Sequence, residues 1–138
     1  MNFPDRTFDL IFARGVLNHL NLQEAVPKLS RVLSNYGKVV FAEPICGNPL
    51  ITIFRYLTPH LRTPDEKPLN KNDIKYVMSF IKNANIKYYG CLTILSAILF
   101  KNKYPLFEKI DDMLLNKFKL GPYLAWACII FTGQDIKT

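Results

Sequence analysis

Six consecutive residues near the N-terminus constrain the fold more than any other feature. They run from Phe8 to Ala13, read Phe-Asp-Leu-Ile-Phe-Ala, and are apolar apart from Asp9. A short apolar run of this kind, with Asp5 before it and Gly15 after it, is typical of a parallel strand covered on both faces. The sequence therefore predicts an interior strand, which needs a partner strand on each side.

A helical pattern follows between Asn21 and Leu33. Asn21 and Glu24 have the spacing of a capping box, and Pro27 is expected to remove one helical hydrogen bond. Gly37 is expected to be the turn glycine that ends the segment. The apolar stripe of this helix consists of Leu22, Ala25, Val26, Leu29, Val32 and Leu33.

A second strand is predicted over Lys38–Ala42, and it stops at the pair Glu43-Pro44. Strand, helix and strand thus follow one another with short links. This order is a βαβ unit, which implies a parallel sheet and a right-handed crossover. The fold class predicted from the sequence is α/β.

The remaining chain offers weaker signals. Residues 47–68 are rich in proline and read as an ordered loop around a short helix, Leu50–Leu57. Cys91–Phe100 is ambiguous between helix and strand. The other predicted elements are a helix capped by Asn70 or Asn72 with the stripe Ile74, Val77, Met78 and Ile81, a strand over Ile86–Tyr89, a helix over Phe107–Phe118 and a last strand over Leu124–Thr132.

Size and charge indicate one domain over residues 1–138. Hydrophobic residues make up 49% of the chain, which is enough for a core. The formal net charge is +7, but the lysines are spread from Lys28 to Lys137 without a block. We therefore expect a solvated basic surface and no nucleic-acid partner, since a charge surplus alone is weak evidence for one.

Cysteine usage bears on the cellular compartment of the protein, and hydropathy bears on its contact with a membrane. Cys46, Cys91 and Cys128 form no CxxC pair, so we expect no metal site, buried inert thiols and a reducing, cytoplasmic compartment. The N-terminus lacks the pattern of a signal peptide. The apolar run Tyr88–Phe100 is shorter than the roughly 20 residues of a membrane span. A membrane-surface contact remains the minor alternative for this run.

Three stretches resemble the C-terminal part of a class I S-adenosylmethionine-dependent methyltransferase of the type 11 kind. Residues 3–20, FPDRTFDLIFARGVLNHL, are similar to the family's fourth strand and the loop after it. Residues 29–41, LSRVLSNYGKVVF, are similar to the following helix and the fifth strand. The third stretch is EP at 43–44 with GNPL at 47–50 and LTPHLRTPDE at 57–66, similar to a loop of one bacterial-type subgroup.

The sequence also departs from the family. The first strand, its GxGxG loop and the acidic residue that binds the cofactor ribose have no counterpart in it. Asn35-Tyr36 replaces the usual Pro-Gly, and Asn18 stands where the family often has histidine. The resemblance therefore implies a partial Rossmann-like methyltransferase sheet, from the fourth strand onward, with flanking helices.

The resemblance implies S-adenosyl-L-methionine as cofactor. In open parallel sheets, ligands lie at the carboxyl ends of the strands, which places Ala13, Arg14 and Gly15 at the cofactor edge. His19 corresponds to a family histidine that lines the cofactor pocket. The structural alternatives are a turn for Gly15, a loop-bracing role for Arg14 and an ordinary helix-start residue for His19.

Candidate catalytic and acceptor-side residues follow the second strand. Glu43 and His60 are candidate general bases, although Glu43 is more readily interpreted as a carboxylate that binds nearby amides. A wall or lid on the substrate side is predicted from Arg55, Tyr56, His60 and Arg62. The alternative is a loop that packs by itself.

An interior strand without its first-strand partner leaves an apolar edge exposed. We therefore expect a fragment of a longer product or a truncated paralogue, with either self-association or a missing N-terminal half. In complete form it would methylate a small-molecule or lipid-like acceptor. The alternative is a binding or regulatory partner, without cofactor, that pairs with a chain carrying the glycine-rich loop or acts at a membrane surface.

Overall fold

Four strands form one mixed sheet in the computed structural model, which describes residues 2–61, 63, 65–93 and 104–133. The strands are β1 (Phe8–Arg14), β2 (Leu33–Pro44), β3 (Ala84–Tyr89) and β4 (Ala127–Thr132). Their order in the sheet is β1-β2-β4-β3, with β1 parallel to β2 and β4 antiparallel to both of its neighbours. The predicted βαβ unit and the α/β, partial Rossmann-like fold class are confirmed.

Among the described residues, the helices other than α5 lie close to where the sequence predicts them, whereas α5 was not predicted and includes Leu124, where the last strand was expected to begin. They are α1 (Leu22–Val32), α2 (Pro49–Leu57), α3 (Lys71–Ser79), α4 (Tyr104–Asp112) and α5 (Gly121–Leu124), with 3-10 turns at Leu17–His19 and Pro59–Leu61. A π-helical turn, Met113–Lys117, continues α4 and completes the predicted helix over Phe107–Phe118. The Asn70 side chain caps α3 and forms a capping box with Asp73.

Gly37 is not the turn glycine that the sequence suggested. β2 begins at Leu33, directly after α1, so Gly37 lies inside the strand. The register of β2 against β1 jumps between Phe8↔Leu33 and Leu10↔Lys38, and the residues between these pairs form an irregularity. A Cβ at position 37 would lie 2.6 Å from Leu33 Cδ1, so close packing rather than a turn accounts for the glycine.

The core lies on one face of the sheet, under α1 and α3. Val39 and Phe41 of β2 are buried there beside Ile130 of β4, because alternate residues of a strand face the same side. The helices contribute Val26, Ile74, Val77 and Ile81 to the same cluster. The apolar stripes predicted for both helices are thus confirmed as core-facing.

The two outer edges of the sheet differ. On β1, Leu10 and Phe12 point to the face away from the core and are 60% and 65% exposed. Within the described residues β1 pairs only with β2, which confirms the expected open apolar edge. On β3, the Asn116 carboxamide accepts the Tyr88 N–H at 2.8 Å and donates to the Tyr88 carbonyl at 3.1 Å, so a side chain covers that edge.

No helix in the described part of the chain is long and apolar enough to cross a membrane. The apolar run Tyr88–Phe100 begins in β3, and its residues 94–100 lie outside the described residues. The segment Cys91–Phe100, predicted as either helix or strand, also lies largely outside the described residues.

Candidate functional site at the carboxyl ends of β1 and β2

The chain turns sharply where β1 ends. Gly15 follows Arg14 with a φ of 60°, a conformation that glycine adopts without steric cost. Its N–H donates to the Ala42 carbonyl of β2 at 2.9 Å. Apart from its two chain neighbours, no described residue has an atom within 4 Å of the position that a Cβ would take. The backbone of this turn therefore faces open space and is accessible to a ligand.

Glu43, at the end of β2, holds the segment after that turn. Its side chain is 1% exposed. One carboxylate oxygen accepts the N–H groups of Val16 and Leu17, each at 3.0 Å, and the other accepts that of Asn18 at 3.3 Å. The carboxylate thus caps the first 3-10 turn, where unpaired amide donors favour negative charge.

Asn18 joins the site although sequence reasoning did not select it. The residue is 4% exposed, and its side-chain Oδ1 has no hydrogen-bond partner among the described residues. A buried, unpaired amide oxygen costs free energy, which a bound donor would recover. One feature of the sequence could have indicated Asn18: it lies in the loop after β1, at a position where the family that the sequence resembles often has histidine.

Two neighbouring acidic residues join the predicted cofactor side to the predicted substrate side. Asp65 Oδ2 lies 2.9 Å from His19 Nδ1, and this hydrogen bond from His19 lowers the pKa of the Asp65 carboxyl. Glu66 Oε1 accepts from Arg55 Nη2 at 2.9 Å, and both side chains are less than 20% exposed. The Lys67 N–H adds a bond to the Asn18 carbonyl at 2.8 Å.

The structure brings only some of the predicted site residues together. Half-buried Ala13 packs against the core, while Arg14 is exposed. With Gly15, His19 and Glu43 they line the carboxyl edge of β1 and β2.

The predicted substrate-side residues have different surroundings. Arg55 is engaged by Glu66, which favours a brace within the loop. Tyr56 on α2 is 85% exposed, and His60 is exposed in the second 3-10 turn. Arg62 lies outside the described residues.

Metal ligands are not grouped in the described chain. Among the described residues, no three or more His, Cys, Asp and Glu side chains lie close enough together to hold a metal ion.

Comparison with known proteins points to one class. Residues 1–41 match the family model of the methyltransferase domain. The fold is similar to that of an S-adenosylmethionine-dependent methyltransferase from Archaeoglobus fulgidus, with a TM-score of 0.58 and 13% identity, over 96% of this chain and 62% of that one. No match was found among curated proteins.

Two further structures carry the same fold. A geranyl diphosphate methyltransferase solved with S-adenosylmethionine gives a TM-score of 0.55 at 14% identity, over 96% of this chain and 53% of that one. The phosphoethanolamine N-methyltransferase 2 of Haemonchus contortus, solved with the same compound, gives 0.54 at 13%, over 97% of this chain and 35% of that one. The chain thus spans less than two thirds of the length of each of these three proteins.

The resemblance to a class I methyltransferase is confirmed, in sequence over residues 1–41 and in fold over the described chain. The carboxyl edge fits part of the cofactor that this fold implies, since Gly15 exposes its backbone and Asn18 Oδ1 is buried without a hydrogen-bond partner among the described residues. The chain holds no GxGxG motif, which would contact the rest of such a ligand.

Proposed function

We propose that this chain takes part in S-adenosylmethionine-dependent methyl transfer to a small-molecule or lipid-like acceptor, as a portion of a methyltransferase domain. The observation that carries this proposal is the turn at Gly15, which Glu43 fixes through three backbone amides at the carboxyl ends of two parallel strands. Ligands of open α/β sheets bind at this edge.

The chain's own residues would hold one side of the cofactor. Ala13, Arg14 and Gly15 provide the strand end and turn, and His19, fixed by Asp65, provides the wall beside it. Bound there, S-adenosylmethionine supplies an electrophilic methyl group. Methyl transfer depends on alignment and on the exclusion of water, and a rigid turn contributes to both.

The exposed face of helix α2 is evidence that the acceptor is apolar. Leu50, Ile53 and Leu57 recur at helical spacing and are 67%, 58% and 68% exposed, with Tyr56 beside them. An exposed apolar stripe of this kind marks a binding surface rather than a core-facing one. The similarity to a geranyl diphosphate methyltransferase agrees with this choice of acceptor class.

The roles of the two candidate bases differ in this proposal. Both oxygens of Glu43 accept amide hydrogens, so Glu43 is a positioning residue. His60 is exposed in the 3-10 turn that directly follows α2, the helix to which this proposal assigns the acceptor. We assign any general-base step to His60.

Equilibrium dialysis of the chain against labelled S-adenosylmethionine tests the proposal. Gly15→Val places a branched side chain in the open turn. Gly133→Val is the matched control, because Gly133 also has a positive φ and no described residue apart from its chain neighbours lies within 4 Å of its Cβ position, but it follows β4 at the opposite end of the sheet. Saturable binding that Gly15→Val abolishes and Gly133→Val retains is expected. Binding that survives Gly15→Val would contradict the assigned site.

A second candidate is favoured by the open β1 edge, where Leu10 and Phe12 are exposed. In this second candidate function, the isolated chain does not bind the cofactor. It pairs through β1 with another chain that carries the glycine-rich loop. Phe12→Lys would then prevent co-elution with such a partner in size-exclusion chromatography. Saturable S-adenosylmethionine binding by the chain alone excludes this candidate.

A further inference from the structure

A groove lies at the amino ends of the strands, opposite the edge that carries Gly15 and Glu43. Its volume is about 630 Å³, which falls within the usual range of small-molecule sites. The start of β2, the ends of α1 and α3 and the turn before β1 enclose it. None of these residues contributes to the methyl-transfer site.

The charge of this amino-end groove is positive. Arg6, Arg31 and Lys82 line it, and Asp5 is the one carboxylate among its lining residues. Asp5 already pairs with Arg31, which also donates to the Phe3 carbonyl. In the part of the chain that the structure describes, no carboxylate lies within ion-pair distance of Arg6 or Lys82. Two cations are thus left to face an incoming anion.

The position of Arg6 is fixed by the backbone. Its φ is 54°, which is uncommon for a residue with a side chain. Its N–H donates to the Arg31 carbonyl at 2.9 Å, and Thr7 Oγ1 donates to the Pro4 carbonyl at 2.8 Å, so the turn is held from both sides. Lys82 lies just beyond the C-terminus of α3, where the helix dipole favours a positive charge. Arg6 lies on no helix, so the helix dipole does not explain its charge.

Uncharged side chains in the groove can contact the part of a ligand that carries no charge. The Tyr36 side chain is 95% exposed and Phe80 is 38% exposed, so aromatic surface borders the two cations. Asn35 is exposed beside Tyr36. Arginine and lysine are the residues that bind phosphate oxygens, arginine through two parallel hydrogen bonds.

We propose that the amino-end groove binds a phosphate-bearing small molecule, with its phosphate groups on Arg6 and Lys82 and its body against Tyr36. This site is independent of the proposed methyl-transfer site, because the two lie at opposite edges of the sheet. A compound bound here leaves the carboxyl edge free.

Isothermal titration calorimetry with inorganic pyrophosphate and with ADP tests the proposal. The expected result is saturable binding of both probes that weakens at higher salt concentration. Arg6→Asn keeps a residue that tolerates positive φ while removing the charge, and Lys82→Gln removes the second charge. Each variant should weaken binding by roughly tenfold, the value of one charge-assisted hydrogen bond.

Lys109→Gln, an exposed lysine on α4 away from the groove, is the matched control and should bind both probes as the unchanged protein does. Amide chemical shifts should move at Asn35 and Tyr36 on titration and stay constant at Gly15. Tighter binding of ADP than of pyrophosphate would support the contact with Tyr36. Absence of binding, or equal losses in all three variants, would overturn the proposal.

Discussion

The carboxylate of Glu43 accepts the backbone N–H of Leu17 at 3.0 Å, and this bond joins the end of β2 to the turn after β1. Both residues are almost completely buried. Among the described residues no cation lies within ion-pair distance of Glu43, so amide donors alone stabilise its charge. A carboxylate held in this way fixes the geometry of the loop that follows β1.

We therefore expect Glu43→Gln to lower the free energy of unfolding by about 2 kcal/mol, because the amide has one acceptor oxygen where the carboxylate has two and its NH₂ group faces amide donors. Urea denaturation followed by circular dichroism measures the change. Glu108→Gln, on the exposed face of α4, is the control and should leave the midpoint unchanged. Equal stability of Glu43→Gln and the unchanged protein would disprove the capping role.

The sequence predicts the order of strand, helix and strand in the parallel part of the fold because its signals are local, but the prediction that Phe8–Ala13 is covered on both faces is wrong for the described chain, since Leu10 and Phe12 are exposed. The run Phe8–Ala13, the stripe of α1 and the cap at Asn70 each need only a few neighbouring residues. The long start of β2 was missed because Gly37, read alone, resembles a turn residue. Only the packing at this position, where a Cβ would lie 2.6 Å from Leu33 Cδ1 and 3.0 Å from the Phe8 carbonyl oxygen, shows why glycine is favoured there.

The site was predicted in part for the same reason. Gly15 and Glu43 stand at strand ends, which the sequence locates. The contacts of Asp65 with His19 and of Glu66 with Arg55 join residues 46 and 11 positions apart through a proline-rich loop, and no periodicity encodes them. The burial of Asn18 Oδ1 without a partner among the described residues likewise results from tertiary packing, which no local pattern encodes.

The Asn116 carboxamide covers the outer edge of β3, and we expect Asn116→Ala to expose it. The Tyr88 N–H would lose its acceptor, and the free energy of unfolding should fall by about 1 kcal/mol. Amide hydrogen exchange is the sharper measurement, since exchange at Tyr88 should accelerate at least as much as the loss in stability implies.

Asn72→Ala controls for loss of an asparagine, because Asn72 is exposed on α3 and no bond from its side chain is seen in the described structure. It should leave Tyr88 exchange unchanged. Unaltered exchange in Asn116→Ala would show that the side chain does not protect this edge.

The His19–Asp65 contact predicts a small acid dependence of stability. The hydrogen bond from His19 lowers the pKa of the Asp65 carboxyl below its ordinary value of 3.8. The folded state then binds fewer protons than the unfolded state, so the contribution is fully present above that value and is lost as pH falls through the lowered pKa. Both side chains are partly or largely exposed, so solvent screens the effect.

Melting temperatures of the unchanged protein and Asp65→Asn should therefore differ slightly above the ordinary pKa of 3.8 and converge as the pH falls through the lowered pKa. Asp112→Asn, which removes a longer ion pair to Lys87 at 3.8 Å, provides the comparison of an exposed carboxyl elsewhere. A gap that widened as the pH fell would contradict the assigned direction of the Asp65 shift.

The three thiols should differ in reactivity because the fold buries them to different extents. Burial, with the nearby Glu43 charge, raises the pKa of Cys128 to about 12, and burial beside Asp111 raises the pKa of Cys91. Cys46 is exposed. Only the thiolate is a nucleophile, so iodoacetamide at about pH 8 should alkylate Cys46 first, then Cys91, and leave Cys128 unmodified in the folded protein.

Peptide mass spectrometry over time gives the order of modification, and in guanidinium chloride the three thiols should react alike. Early modification of Cys128 in the folded chain would mean that β4 does not lie between β2 and β3.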